Sequence, residues 1–330
     1  MAFIYRGQMN HENVFDMSTQ LSILQLMDMF PDDETAERWF VSKRWPDGVC
    51  CPHCQSKNVQ EKTTHPRMPF RCRTCRKFFS VKSNCFMENS KIGYRAWALA
   101  IYLMISHVKG VSSLQLHKEL GVAQETAWFM EHRIRNAWDA DSIKFSGEVE
   151  VDECFIGGLE RNKHANKRLR QGGGTAGKFV VVGVYDRDSR MVAAKVVEDT
   201  KSTTLQKFVT EHTTREAIVN TDEARAYWGL PRRRKVVDHQ AKQYSIPETG
   251  ATTNRIESFW AIIKRAYKGT YHWMSGKHLQ RYVDEFVWRA NNRELDAEDR
   301  MAQTVRDGVG KRLRYKDLIA EADKRLLCRA

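Results

Sequence analysis

Two Cys-x2-Cys pairs constrain this chain more tightly than any other feature. "CCPHCQSKNV" supplies Cys51 and Cys54, "FRCRTCRKFFS" supplies Cys72 and Cys75, and 17 residues separate the pairs. A tetrahedral Zn²⁺ takes four thiolates at about 2.3 Å, and two such turns facing each other provide them. A closed four-sulfur site leaves no open coordination position, so one zinc ion here holds a fold and does no chemistry. Residues 45–82, rich in Cys, Pro and Arg, are therefore predicted to form a zinc ribbon. Cys50 is an alternative ligand one residue off register, and His53 lies inside the first knuckle. Cys85, Cys154 and Cys328 stand singly and read as core or surface thiols. Arg67, Arg71, Arg73, Arg76 and Lys77 surround the second knuckle, which suits either a nucleic-acid contact or a solvated face.

Lys plus Arg number 54 against 41 Asp plus Glu in 330 residues, a net charge of +13. That excess favours polyanionic partners, DNA or RNA first and an acidic membrane surface second. Residues 1–10 lack the apolar core of a signal peptide, and the most apolar run, 96–105, is about half a membrane span. The expectation is a cytoplasmic protein with no membrane partner, in which eight cysteines call for metal ligation or plain thiols and not disulfides.

Hydrophobic periodicity divides the rest. Residues 1–44 read as an N-terminal helical segment with an apolar stripe of Leu21, Leu24, Leu26, Met27 and Phe30, and a second helix starting at Pro31-Asp32-Asp33. Residues 83–142 are helical. From 147 the pattern changes to strands, over 147–156, 178–185 and 191–197, then a helix near 203–212, a short strand 217–221, and helices 254–267 and 277–292. The basic run 161–170 and the glycine-rich 171–177 read as a mobile loop. The expected divisions are 1–44, 45–82, 83–142, a strand-and-helix unit 143–298 and a charged, peripheral tail 299–330.

"KGVSSLQLHKELGVAQETAWFMEHRIRNAW" reads as a helix-turn-helix. Ser112 or Ser113 caps a helix bearing Leu114, Leu116 and Leu120, Gly121 makes the turn, and a second helix starts at Gln124 with Ala127, Trp128, Phe129, Ile134 and Ala137 inward. In that geometry Gln124, Glu125 and Thr126 face the major groove of DNA. A two-helix hairpin without DNA contact has the same pattern.

"GEVEVDECFIGG" crowds Glu148, Glu150, Asp152 and Glu153 on one short strand. Like charges raise each other's pKa, so the crowding needs a counter-charge. Asp222 follows the strand in "AIVNTDEARAY", and Glu257 opens the helix "TNRIESFWAIIKR". On that helix Asn254, Glu257 and Lys264 share one face, opposite the apolar Ile256, Phe259, Trp260 and Ile263. Two strand-end carboxylates and one helix carboxylate can converge into the oxygen-rich site that Mg²⁺ prefers. Singly, each has a structural alternative: Asp222 as cap of a helix from Glu223, Glu257 as a first-turn acid favoured by the helix dipole, and Glu150 or Glu153 in place of Asp152.

These stretches, with "SKIGYRAWALAIYLM", "VEVDECFIGGLERNKH" and "NRIESFWAIIKRAYKGTYHWMSGKHLQRYVDEFVWRANNR", resemble bacterial insertion-sequence transposases of the DDE class, in the zinc-ribbon group with an ISXO-type catalytic domain. The resemblance runs from about residue 20 to 300 with the motifs in the family's order. It implies an α/β, RNase H-like catalytic domain: a mixed five-stranded sheet flanked by helices. It also implies catalytic roles for Asp152, Asp222, Glu257 and Lys264, with Asn254 the alternative third ligand, and two Mg²⁺ or Mn²⁺ ions on the acids. Where many relatives carry Thr-Tyr after the acids, this chain has Cys154-Phe155, which leaves Cys154 outside the chemistry. The implied reaction is hydrolysis at the element's end, freeing a 3′-hydroxyl that attacks target DNA. Terminal inverted repeats are to be recognised by the ribbon and residues 90–139, with Arg232, Arg233, Arg234 and Lys235 on backbone phosphates or in a solvated loop. A homo-oligomer is expected when two DNA ends are brought together. Helix 277–292 and Trp273 read first as packing. A regulator with an inactive catalytic domain, or a nuclease without strand transfer, are the competing readings.

Overall fold

The computed structural model describes residues 21–139, 143–169, 174–237, 245–246 and 250–320. Cys328, the first part of the N-terminal segment, the end of the tail and part of the glycine-rich loop lie outside the described residues.

The first layer is helical. Helix α1 (Ile23–Met29) begins with a capping box between Ser22 and Gln25, and α2 (Asp33–Arg44) is capped by the Asp32 carboxylate. The ribbon follows as a three-stranded antiparallel sheet, β1 (Val59–Gln60), β2 (Phe70–Cys72) and β3 (Phe78–Phe79). Helices α3 (Tyr94–Ser106), α4 (Ser113–Leu120) and α5 (Gln124–Ala137) come next. Ser112 caps α4, and Gly121, at φ 64°, closes it in the left-handed conformation glycine adopts freely. The hairpin of α4 and α5 is the predicted one. Trp128 and Phe129, read as inward, are only half-buried, while Met130 and Ile134 are buried.

The second layer is one five-stranded sheet in the order β6-β5-β4-β7-β8, comprising β4 (Glu148–Ile156), β5 (Phe179–Asp186), β6 (Val192–Val197), β7 (Ile218–Thr221) and β8 (Arg233–Val236). Strand β5 is antiparallel to β4 and β6, whereas β4, β7 and β8 run parallel. This is the expected mixed, RNase H-like sheet. Helix α6 (Ser202–His212) covers one face through Leu205, Phe208 and Val209, against Val149, Val151 and Val184. Helices α7 (Asn254–Ala266) and α8 (Leu279–Asn291) cover the other through Ile256, Trp260, Leu279, Val283 and Phe286, against Cys154, Ile156 and Val181. Each such fully buried side chain contributes about 1.5–3 kcal/mol. A short antiparallel pair, β9 (Ser245–Ile246) and β10 (Ala251–Thr252), precedes α7.

Two expectations need correction. The segment 232–235, read as a phosphate-contacting run or solvated loop, contributes most of β8, the parallel edge strand. The tail from 299 is not peripheral. Helix α9 (Ala297–Asp307) puts Met301 and Val305 into the core formed by α2, α3 and α5. Its buried Thr304 accepts a hydrogen bond from Trp138 Nε1 at 3.0 Å. Only four inward positions, two of them Ala302 and Thr304, carry this packing, so the charged sequence hides it. A short α10 (Tyr315–Ile319) follows, with Leu318 buried.

Candidate active site

Strand β4 treats its four carboxylates differently. Glu148 is paired with Arg187 and Lys235, each at 2.8 Å. Glu150 is fully buried: Arg187 Nε donates to it at 3.1 Å, and the backbone N–H groups of Arg255 and Ile256 donate to it at 2.8 and 3.1 Å. It therefore ties the N-terminus of α7 to β4, the end of a helix that favours negative charge. Glu153 accepts the Tyr227 hydroxyl at 2.7 Å. Among the described residues no cation pairs with Asp152. Burial, then the Glu153 carboxylate, then Asp222 and Glu257 push the Asp152 carboxyl up to about 7.

The register brings the second acid alongside. Glu150 stands beside Asn220 on the parallel β7, so two residues further on Asp222 is level with Asp152. The backbone oxygen of Asp222 accepts from Arg234 at 2.8 Å, and its carboxylate accepts the Ala224 N–H at 3.0 Å. This local turn replaces the helix read from Glu223; only a 3₁₀ turn, Arg225–Tyr227, forms.

Glu257, in the first turn of α7, accepts Thr253 Oγ1 at 3.0 Å. Helix α7 can approach because Gly183, the β5 partner of Asp152, has no side chain; a Cβ there would stand 2.7 Å from the Trp260 ring. Asn254 is exposed and lines a cavity of about 360 Å³ with Tyr185, Arg187 and Arg190. Lys264 is exposed two turns after Glu257, and its positive charge acts on the Cys154 thiol. Burial raises that thiol to about 11, in keeping with an inert Cys154.

A cleft of about 750 Å³ opens beside these acids, lined by Glu153, Lys178, Lys264, Lys268 and Trp273 among others. Trp273, read as packing, is 61 % exposed. The sequence reading missed Lys178, Lys268, the Tyr227 partner of Glu153 and the tethering role of Glu150. Only the last had a signal, its position two residues before Asp152 on the same strand face.

In the ribbon, Cys51, Cys54, Cys72 and Cys75 bring their sulfurs within 4.8 Å of one another. Cys51–Cys75 and Cys54–Cys72 separations are 3.6 Å, close to the edge of about 3.8 Å in a tetrahedron with 2.3 Å metal–sulfur bonds. The N–H groups of His53 and Cys75 donate to Cys51 and Cys72 sulfurs at 3.4 Å, as suits thiolates. Cys50 turns instead toward Gln55. Cys85 and Cys154 are buried core thiols. Among the described residues this is the one group of three or more metal-ligating side chains so close together; the three acids are more widely spaced. Arg67, Arg71, Arg73, Arg76 and Lys77 are all exposed.

Of the remaining residues read as DNA-facing, Glu125 is exposed, Thr126 is half-buried, and Gln124 donates to Ser113 Oγ at 2.7 Å. Arg232 binds Thr213 through its side-chain and backbone oxygens, Arg234 holds Thr221 and Asp222, and Lys235 pairs with Glu148. Of the four basic residues only Arg233 is exposed. No described helix is long and apolar enough to cross a membrane.

Residues 144–291 match the family described as ISXO2-like transposase domain, and residues 31–78 match the transposase zinc-ribbon domain. An uncharacterized protein in transposable element ISH50 of Halobacterium salinarum is 26 % identical over 210 residues, covering 60 % of this chain and 70 % of that protein. The chain thus carries a transposase zinc-ribbon domain with its four cysteines gathered, followed by an ISXO2-like transposase domain built on the RNase H-like sheet.

Proposed function

We propose that this protein is a DNA transposase that binds the terminal inverted repeats of its element and catalyses metal-dependent strand cleavage and strand transfer. The observation that carries this reading is Asp152: a carboxyl with no protein counter-cation among the described residues, level with Asp222 and within the field of Glu257. Three hard carboxylate donors that disfavour one another's charge fit divalent cations. Asp152, Asp222 and Glu257 would hold Mg²⁺ or Mn²⁺, two ions in all. Bound there, the ions supply activation of the attacking oxygen and stabilisation of the leaving one.

The chain's own groups divide the remaining work. Glu150 and Gly183 set the distance between α7 and β4. Lys264 holds a DNA phosphate next to the acids. Glu257 is favoured over Asn254 as third ligand because Glu257 acts on Asp152, whereas Asn254 lines the cavity near Arg187 and Arg190. The zinc ribbon, with one structural Zn²⁺ on its four cysteines, and the α4–α5 hairpin, with Gln124, Glu125 and Thr126 at its reading end, recognise the repeats. Arg233 contacts backbone phosphate; Arg232, Arg234 and Lys235 serve chiefly to hold the sheet edge. The proposed divisions are 1–44, 45–82, 83–142 and 143–298, with α9 returning to the helical layer. The protein acts in the cytoplasm, on the nucleoid, as a homo-oligomer assembled on DNA ends.

The test is cleavage and joining of labelled element-end DNA with Mg²⁺ or Mn²⁺, comparing the parent with Asp152→Asn, Asp222→Asn, Glu257→Gln and Asn254→Ala. The reading requires that the parent cuts and joins, and that the first three changes abolish both. A lethal Asn254→Ala beside a mild Glu257→Gln moves the third ligand by one turn. Binding without cleavage replaces the reading with a regulator, and cutting without joined product replaces it with a nuclease.

A further inference from the structure

We propose that the cleft beside Asp152 receives one unpaired nucleotide of the DNA strand being cut, its base stacked on Trp273 and its phosphates held by Lys178, Lys264 and Lys268. The inference rests on the reading of the acids as a DNA-processing site.

Trp273 is 61 % exposed, yet its chain neighbours fix where it stands. On one side, Tyr271 is anchored by its hydroxyl to the buried Glu285 at 2.9 Å. On the other, Met274 is buried in the core under α7 and α8. Between the anchors the chain turns at His272, which adopts φ 55°, a positive value uncommon outside glycine. The preceding segment, Tyr267–Tyr271, is a single turn of π-helix, a form frequent at functional sites. The segment thus displays the indole at the cleft wall in place of burying it.

The rest of the cleft has the charge and shape to take a nucleotide. Lys178, Lys264 and Lys268 line it and form no ion pair with a carboxylate among the described residues. Lys163, also on the wall, is already paired with Glu160 at 2.5 Å. Among the described residues the only acid in the lining is Glu153, whose carboxylate is tied to Tyr227. Three open ammonium groups with a displayed aromatic plane are the combination that binds unpaired DNA: cations follow the backbone, and the ring stacks on any base. The volume, about 750 Å³, falls in the range of small-ligand sites and is too small for a duplex. Because Glu153 adjoins Asp152, and Lys264 stands two turns after Glu257 on α7, a nucleotide in this cleft adjoins the phosphodiester at the acids. A nucleotide extruded from a duplex costs only a few kcal/mol of unstacking and is held in a pocket by stacking between side chains, which this cleft can supply.

The experiment uses the zinc-loaded full chain in Ca²⁺ without Mg²⁺ or Mn²⁺. It measures anisotropy of two labelled duplexes of one arbitrary sequence, one blunt and one with a three-nucleotide single-stranded extension containing 2-aminopurine. The parent should prefer the extended duplex and quench its 2-aminopurine. Trp273→Ala should lose roughly tenfold or more of that affinity, with the quenching, and keep the parent's affinity for the blunt duplex. Trp273→Phe should retain most of both, and Lys268→Ala should weaken extended-duplex binding without restoring 2-aminopurine emission in the bound state. Equal binding of the two duplexes by the parent, or full quenching by Trp273→Ala, overturns the proposal. The assay needs no cleavage, so its failure is separable from failure of the transposase reading: a chain that cuts and joins but shows no extension preference loses only the pocket.

Discussion

Glu150→Gln tests whether a buried carboxylate positions the third acid. Glu150 is 0 % exposed and receives the N–H groups of Arg255 and Ile256 together with Arg187 Nε. Glutamine keeps the shape but has one acceptor oxygen. Its amide NH₂ must face either the helix N-terminus or the guanidinium, both donors. Charge-assisted hydrogen bonds contribute about 1.5–3 kcal/mol each. Arg187 keeps Glu148 at 2.8 Å and the carbonyls of Gly250 and Thr252, so the full cost of an orphaned buried charge is not incurred. Opening of the first turn of α7 should therefore become easier by about 2–3 kcal/mol, or roughly 30- to 150-fold in the protection of its amides. Hydrogen exchange on the full chain reads this directly at Arg255 and Ile256. End cleavage should fall with it, because Glu257 is the next residue. Unchanged protection at these amides refutes the tether, and a uniform loss across the whole sheet shows that Glu150 serves general packing.

Three further outcomes follow from the same geometry. Asp152 has a folded pKa of about 7 against an ordinary 3.8, so the folded state holds an extra proton between those values and stability falls as pH rises through them. Asp152→Asn in protein free of Mg²⁺ should therefore be more stable than the parent above pH 7, by about 2–4 kcal/mol, with the gap closing toward pH 4; melting temperature against pH checks it, and added Mg²⁺ should stabilise the parent alone. Chelating the zinc should open 51–79 to protease, since Trp45 packs on Phe70 and Phe79 at 5.8 and 6.0 Å between ring centroids and that small cluster cannot hold the ribbon alone; restored Zn²⁺ should restore resistance. Glu285→Leu should cost about 3–5 kcal/mol by leaving Arg135 and Arg289 short of a partner, and adding Arg135→Met should recover much of it, read as melting temperature.

What was legible in the sequence was whatever depended on local spacing. The cysteine pairs, the alternation of β4, the Gly121 turn and the buried stripe of α7 all follow from residues a few positions apart. What was hidden depended on distant partners. Arg233–Val236 carries no apolar alternation because Arg234 and Lys235 bind Thr221, Asp222 and Glu148 across the sheet. Helix α9 joins the core through Met301, Ala302, Thr304 and Val305, too few apolar residues to stand out among its charges. The crowding of acids was visible, but not that Glu148 and Glu150 already had cations and Glu153 a phenol. Only three-dimensional pairing separates the one carboxyl left over, Asp152, from its three neighbours.

The buried charges between the layers bear on how the two halves act together. Arg135, on α5, is wholly buried and donates to Glu285 of α8 at 2.7 Å and to Glu131 at 3.2 Å. Glu285 also accepts Tyr271 and pairs with Arg289 at 3.1 Å. Attraction to Glu285 and Glu131 outweighs burial and holds Arg135 firmly charged. An apolar contact in this place would tolerate sliding between the helices, because its energy varies little with register. A buried guanidinium does not, since every displacement leaves a charge without its partner. The hairpin proposed to read DNA is thus fixed to the segment that displays Trp273, two residues beyond Tyr271. Movement of α5 on its DNA site must either carry the cleft wall with it or break this network, and the second course is the costlier.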